Sequence, residues 1–137
     1  MSSYNAYFNY TLPQNWCAEE EGDNLLLYNP NGEGAIVISF FTALQTKESL
    51  TEQVSVLAKN CVDQNNIKLR QPFMLHIRED KSVLYGIGTT PDDWFVKLWV
   101  VAKYPKIVLA TYQSQSKRCG KEVKVCDAII DSFRFTF

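Results

Sequence analysis

Four short stretches hold residue types that can do chemistry, and each lacks a partner. His76, the one histidine, sits in "FMLHIRED". A general base needs a nucleophile or an orienting carboxylate in reach, and no spacing in the chain supplies one. Alternation puts His76 on the face of Met74 and Arg78, opposite Phe73, Leu75 and Ile77, which reads as a solvated or edge histidine. Cys119, in "SKRCGKE", is expected near a helix start, with Lys117, Arg118 and Lys121 close by. Both features favour thiolate, so a thiol-dependent enzyme or redox sensor centred on Cys119 is one candidate. No histidine or second thiol is spaced to complete its mechanism. The acidic run "EEEGD" at 19–23 lacks the alternating ligands and downstream Glu of a calcium loop, and reads as a solvated hairpin tip. Gly86 and Gly88 in "YGIGTT" lack the third glycine and the strand-to-helix setting of a dinucleotide loop. The four cysteines Cys17, Cys61, Cys119 and Cys126 form no CxxC pair, which counts against zinc. The expectation is a protein with no catalytic constellation, no metal and no cofactor.

The elements that would position any site follow from hydrophobic period. Residues 4–12 read as a strand with Tyr4, Ala6, Phe8 and Tyr10 on one face, ended by Pro13. Trp16 is expected to pack at that corner. "WCAEEE" and "NLLLYN" flank a turn, and "AIVISFFTA" is apolar almost throughout, the pattern of a central strand buried on both faces. Residues 49–63 change period. Leu50, Val54, Leu57, Ala58, Cys61 and Val62 make one helix face, and Ser49 with Glu52 fits a capping box. After residue 66 four strands return: "PFMLHIRED", "SVLYGIGTT", "WFVKLWVVAK" and "IVLATYQSQ". Their short linkers predict an antiparallel meander. The stretch "GKEVKVCDAIIDSF" is helix again, with Val123, Cys126, Ile130 and Phe133 as its apolar stripe. The fold class is α+β: an antiparallel sheet of seven to eight strands with two helices packed on it, in a single domain over 1–137.

A tight hairpin at "PDD" would set Gly88 beside Phe95 and Gly86 beside Lys97, on one face with Trp99. The other face would carry Val83, Tyr85, Ile87, Trp94, Val96, Leu98 and Val100 as unbroken core. The mixed face then forms a shallow aromatic groove, with Phe95, Lys97, Trp99 and Tyr112 as binding residues. The aromatics would supply apolar contact, and Lys97 would fix a carboxylate or a carbonyl. Against this stands cover by a helix or the N-terminal strand, with the glycines allowing close approach.

Composition narrows the setting. The 137 residues are 46% hydrophobic with a net charge of −1, which favours an ordinary globular domain and no nucleic-acid partner. Residues 1–66 hold two Lys against eight Asp/Glu, a net −6, while 67–137 hold twelve Lys/Arg against seven, a net +5. That asymmetry orients a partner or a head-to-tail contact unless folding interleaves the halves. No apolar run approaches the ~20 residues that span a bilayer, and "MSSYNAYFNY" carries no signal-peptide pattern. The expectation is a cytoplasmic protein with reduced thiols and no membrane insertion.

Phe8, Pro13 and Trp16 in "FNYTLPQNW", followed by a strand pair, "GAIVISFF", a helix, a meander and a closing "IIDSFRF" with Ser132 and Phe133, resemble the PsbP-like superfamily. That group includes the photosystem extrinsic PsbP proteins, a yeast Ran-binding protein and the bacterial DcrB proteins. The resemblance implies an α/β/α-like sandwich that works by binding other proteins and shares no catalytic residue. It points to a bacterial adaptor, chaperone or immunity-type module with a protein or peptide partner, including a second copy of itself. A small-ligand-binding domain, with a pocket between helix and sheet, is the alternative.

Overall fold

Strands form where the apolar alternation lies, and their pairing builds one large antiparallel sheet. A computed structural model describes residues 2–4, 7–45, 48–78, 80–115 and 121–137. β1 (Ser2–Tyr4) turns back on β2 (Phe8–Tyr10), Tyr4 against Phe8. The single strand expected over 4–12 is therefore two, because a strand that pairs with its own continuation must break between them. β3 (Cys17–Glu21) and β4 (Asn24–Tyr28) form a hairpin. Its turn holds Gly22 at φ 61°, a left-handed conformation that glycine adopts without steric cost. β5 (Gly34–Thr42) pairs with β4 and leads to α1 (Leu50–Gln64). Ser49 caps α1, its Oγ accepting the Glu52 N–H at 3.1 Å.

β6 (Lys68–Leu69) and β7 (Met74–Ile77) pair in turn with one edge of β8 (Ser82–Thr89). β9 (Phe95–Lys103) and β10 (Lys106–Ser114) continue the meander, and β10 closes on β5. The sheet has eight strands, ordered β3-β4-β5-β10-β9-β8, with β6 and β7 sharing the last edge. After α2 (Lys121–Asp131), β11 (Arg134–Phe135) joins β1 and β2 in a separate three-stranded sheet.

The large sheet is covered differently on its two faces. α2 and the small sheet bury Ile36, Ile38, Phe95, Trp99 and Tyr112 against Phe8, Cys126, Ile129 and Phe133. Trp16 is buried in the same cluster, its N–H donating to the Pro13 carbonyl at 3.1 Å. α1 packs Val54, Ala58 and Cys61 on the opposite face, over Leu84, Val96, Leu98 and Val100.

Three expectations change. The β8–β9 loop is one residue longer than a tight turn, because Asp93 takes a left-handed φ of 65° between Thr90 and Trp94. The pairing is therefore Thr89 with Phe95, Ile87 with Lys97 and Tyr85 with Trp99. Gly86 and Gly88 face Leu98 and Val96 instead, since a one-residue slip flips every neighbour. There they admit the segment after α1: a Cβ on Gly88 would lie 2.4 Å from the Lys68 carbonyl oxygen. Second, β9 is the strand buried on both faces, whereas β5 leaves Val37 and Phe41 about two-fifths exposed. Third, Leu75 and Ile77 of β7 are exposed, because β7 is an edge strand that α1 does not reach.

Candidate binding site

The four residues expected to bind a partner are brought together, but inside the protein. Phe95, Trp99 and Tyr112 are almost wholly buried, and Lys97 is 8% exposed. The Phe95 and Tyr112 rings meet edge-on at 6.2 Å, and the Arg70 guanidinium lies 5.5 Å from the Phe95 centroid. Tyr112 donates its hydroxyl to Glu122 Oε1 at 2.9 Å. Burial and that hydrogen bond push the phenol well up. Glu122 also accepts from the Gly34 N–H at 2.9 Å, which ties the start of α2 to β5. The open aromatic groove expected here is overturned by the hairpin register and by α2 lying across β9.

Lys97 nonetheless does what a lysine among aromatics must. Its ammonium contacts Asp127 Oδ1 of α2 at 2.7 Å and lies 4.9 Å and 5.2 Å from the Tyr85 and Trp99 ring centres. A buried charge is tolerable only when so paired. The pair marks one end of a cleft of about 210 Å³ between α2, β7 and β8. His76, exposed on β7, stands edge-on to Tyr85 at 5.3 Å. Cys61 and Cys126 are buried free thiols, and burial pushes both pKa values up, the opposite of an activated nucleophile. Cys119 lies outside the described residues.

The other face carries the feature that sequence reasoning missed. An α-helix is roughly 10–12 Å across, so it covers two or three strands spaced about 4.8 Å apart. α1 sits over β8 and β9 and leaves its flank along β10 and β5 partly open. That flank follows β5 from Ala35 to Thr42, about 25 Å at ~3.3 Å per residue, with a depression at each end. One end, about 540 Å³, is lined by Val37, Asn65, Trp94, Thr111 and Gln113. The other, about 190 Å³, is an apolar notch of Phe41, Leu44, Val56, Leu57 and Ile107. Gln53 holds the notch, bonding both the N–H and the carbonyl of Leu44 at 2.7 Å and 3.0 Å. The near-continuous apolarity of "AIVISFFTA" is the signal for this surface, but apolarity alone does not say whether chain or partner covers it.

Folding interleaves the two halves of the chain, β5 pairing with β10 and α1 lying on β8 and β9, yet the two edges of the large sheet differ in charge. Glu19, Glu20 and Glu21 occupy the β3 edge, while Lys68, Arg70 and Arg78 lie along β6 and β7 at the opposite edge. Among the described residues, no helix is long and apolar enough to cross a membrane.

No family model and no curated protein sequence matches the chain. The solution structure of cyanobacterial PsbP (CyanoP) from Synechocystis sp. PCC 6803 is similar over 98% of both chains, with a TM-score of 0.67 at 10% identity. The fold is PsbP-like. A crystal structure from Bacteroides thetaiotaomicron VPI-5482 matches 97% of this chain with a TM-score of 0.55 and 19% identity. This chain spans 46% of that one. At these identities the PsbP-like likeness is one of fold, and function has to be argued from surfaces.

Proposed function

We propose that this protein is a non-enzymatic binding module, of adaptor, chaperone or immunity type, that takes an extended peptide segment of a partner protein along the α1–β5 groove. One observation carries the reading. In β5, Ile36 and Ile38 are fully buried while Val37, between them, is 41% exposed and Phe41 is 39% exposed. Leu44 and Val56 extend the apolar surface at the notch. Exposed apolar side chains gathered along one strand in this way mark interaction sites. At the other end Gln113 and the partly exposed Trp94 offer amide and indole groups, which suit the donors and acceptors of an extended backbone, while Asn65 is engaged in capping α1, its amide donating to the Cys61 carbonyl at 2.8 Å. Free thiols at Cys17, Cys61 and Cys126 fit a reducing compartment such as the bacterial cytoplasm.

Selection from a phage-displayed peptide library tests the proposal. Enriched peptides should bind the wild-type protein and lose binding to a Val37→Ser, Phe41→Ser double variant whose melting temperature is nearly unchanged. No enrichment, or equal binding by the folded double variant, removes the groove as the site.

A further inference from the structure

The cleft between α2 and β7 is chemically distinct from the groove and lies on the opposite face of the sheet. Two charged pairs cross it from sheet to helix. Lys97 meets Asp127 at 2.7 Å, and Arg78 meets Asp131 at 3.5 Å. Asp127 and Asp131 stand four residues apart on α2, so they lie on one helix face about one turn apart. Between the pairs, Tyr85 and Trp99, direct cross-strand partners, form an aromatic floor with Val83. We infer that this cleft binds a small zwitterion, an α-amino acid with an apolar or aromatic side chain.

The charges set the ligand class. Among the residues that line the cleft, two cations and two anions balance, so a ligand with one carboxylate and one ammonium adds no unbalanced charge there, whereas a lone anion or cation does. The Arg78–Asp131 pair is loose, with side chains 50% and 62% exposed, and such surface pairs open at little cost. Opened, it presents a guanidinium that suits a carboxylate and a carboxylate that accepts from an ammonium. The Asp127 side chain is 43% exposed although Lys97 is buried, so an incoming ammonium reaches that carboxylate without breaking the inner pair. The size fits as well. A cavity of ~150 Å³ holds benzene, and this cleft, at about 210 Å³, is larger. The ligand's side chain then rests on Tyr85 and Trp99, with the His76 ring beside Tyr85.

The test is an NMR titration with L-phenylalanine, N-acetyl-L-phenylalanine and L-phenylalaninamide. L-Phenylalanine should shift the signals of Tyr85, Lys97, Trp99, Asp127 and Asp131 and leave Val37 and Thr111 unmoved. Each capped form should bind about tenfold more weakly, the worth of one charge-assisted hydrogen bond. Arg78→Gln and Asp131→Asn should each weaken L-phenylalanine by a similar factor at unchanged melting temperature, because both side chains are half-exposed. No shift at millimolar L-phenylalanine, equal affinity for a capped form, or indifference to both variants overturns the inference. None of these outcomes bears on the peptide groove, whose residues serve as the unmoved control.

Discussion

Beneath α2, β5 buries Ile36 and Ile38 completely, while on the other face the same strand leaves Val37 and Phe41 about two-fifths exposed. The α2 side has two covering layers. The helix seats Cys126, Ile129 and Ile130 on the sheet, and the small sheet adds Phe8, whose ring meets Phe40 at 5.3 Å and Phe133 at 4.8 Å. The α1 side has a single helix over β8 and β9, with the segment at 67–73 beside it. One helix cannot shade eight strands, so the strip over β5 stays open. The two faces differ in cover: aromatic packing fills the space under α2, and the incomplete cover beside α1 leaves the apolar surface that we propose takes a partner.

That difference predicts a ranked set of effects. Phe133→Ala, in the α2-side core, should cost about 3–5 kcal/mol in denaturant unfolding. A cost below about 1 kcal/mol would mean that stability resides elsewhere. Gly88→Ala should cost about 1–3 kcal/mol, because its new Cβ meets a backbone carbonyl at 2.4 Å that cannot step aside. Gly86→Ala should cost less, since its Cβ meets the movable Phe73 ring. Val37→Ser should change stability by only about 0.5 kcal/mol, as surface changes do, yet reduce peptide binding. A loss of stability like that of Phe133→Ala would make the strip core and erase the contrast.

The smallest effect is with pH. Burial holds the Cys126 thiol well above its ordinary 9.0, and Cys61 and Tyr112 are raised in the same sense. Above that pH the unfolded chain loses protons that the folded chain keeps. The unfolded state then binds fewer protons, so stability is fully present below 9.0 and falls as pH rises. Buried Lys81, which donates to the Asp131 and Phe133 carbonyls, has its pKa lowered by burial and acts in the opposite direction. Urea midpoints measured from neutral pH upward should decline above 9.0, and Cys126→Val should flatten the decline.

The sequence made much of the fold legible because its signals were local. Ser49 and the spacing of Val54, Ala58 and Cys61 are enough to define α1, and Val123, Cys126 and Ile130 to define α2. The meander followed from short linkers. What failed was set by features that hydrophobic period does not encode, a loop conformation in one case and tertiary placement in the others. The register of β8 on β9 depended on Asp93 adopting a left-handed conformation, which "PDD" permits but does not dictate. The exposure of Val37 depended on where α1 lies across the sheet. Lys97 was legible as an anomaly, a charge in an apolar strand with a need for a carboxylate. That its carboxylate is Asp127, thirty residues away on α2, was not.

Whether the strip beside α1 is the binding surface is decided by chemical-shift mapping of a library-selected peptide on the labelled protein. Shifts are expected at Val37, Phe41, Val56, Trp94, Ile107 and Thr111, with Ile36, Ile38 and Tyr112 changing little. Shifts gathered on α2 or along the β3 edge, with the strip unmoved, would contradict the proposal.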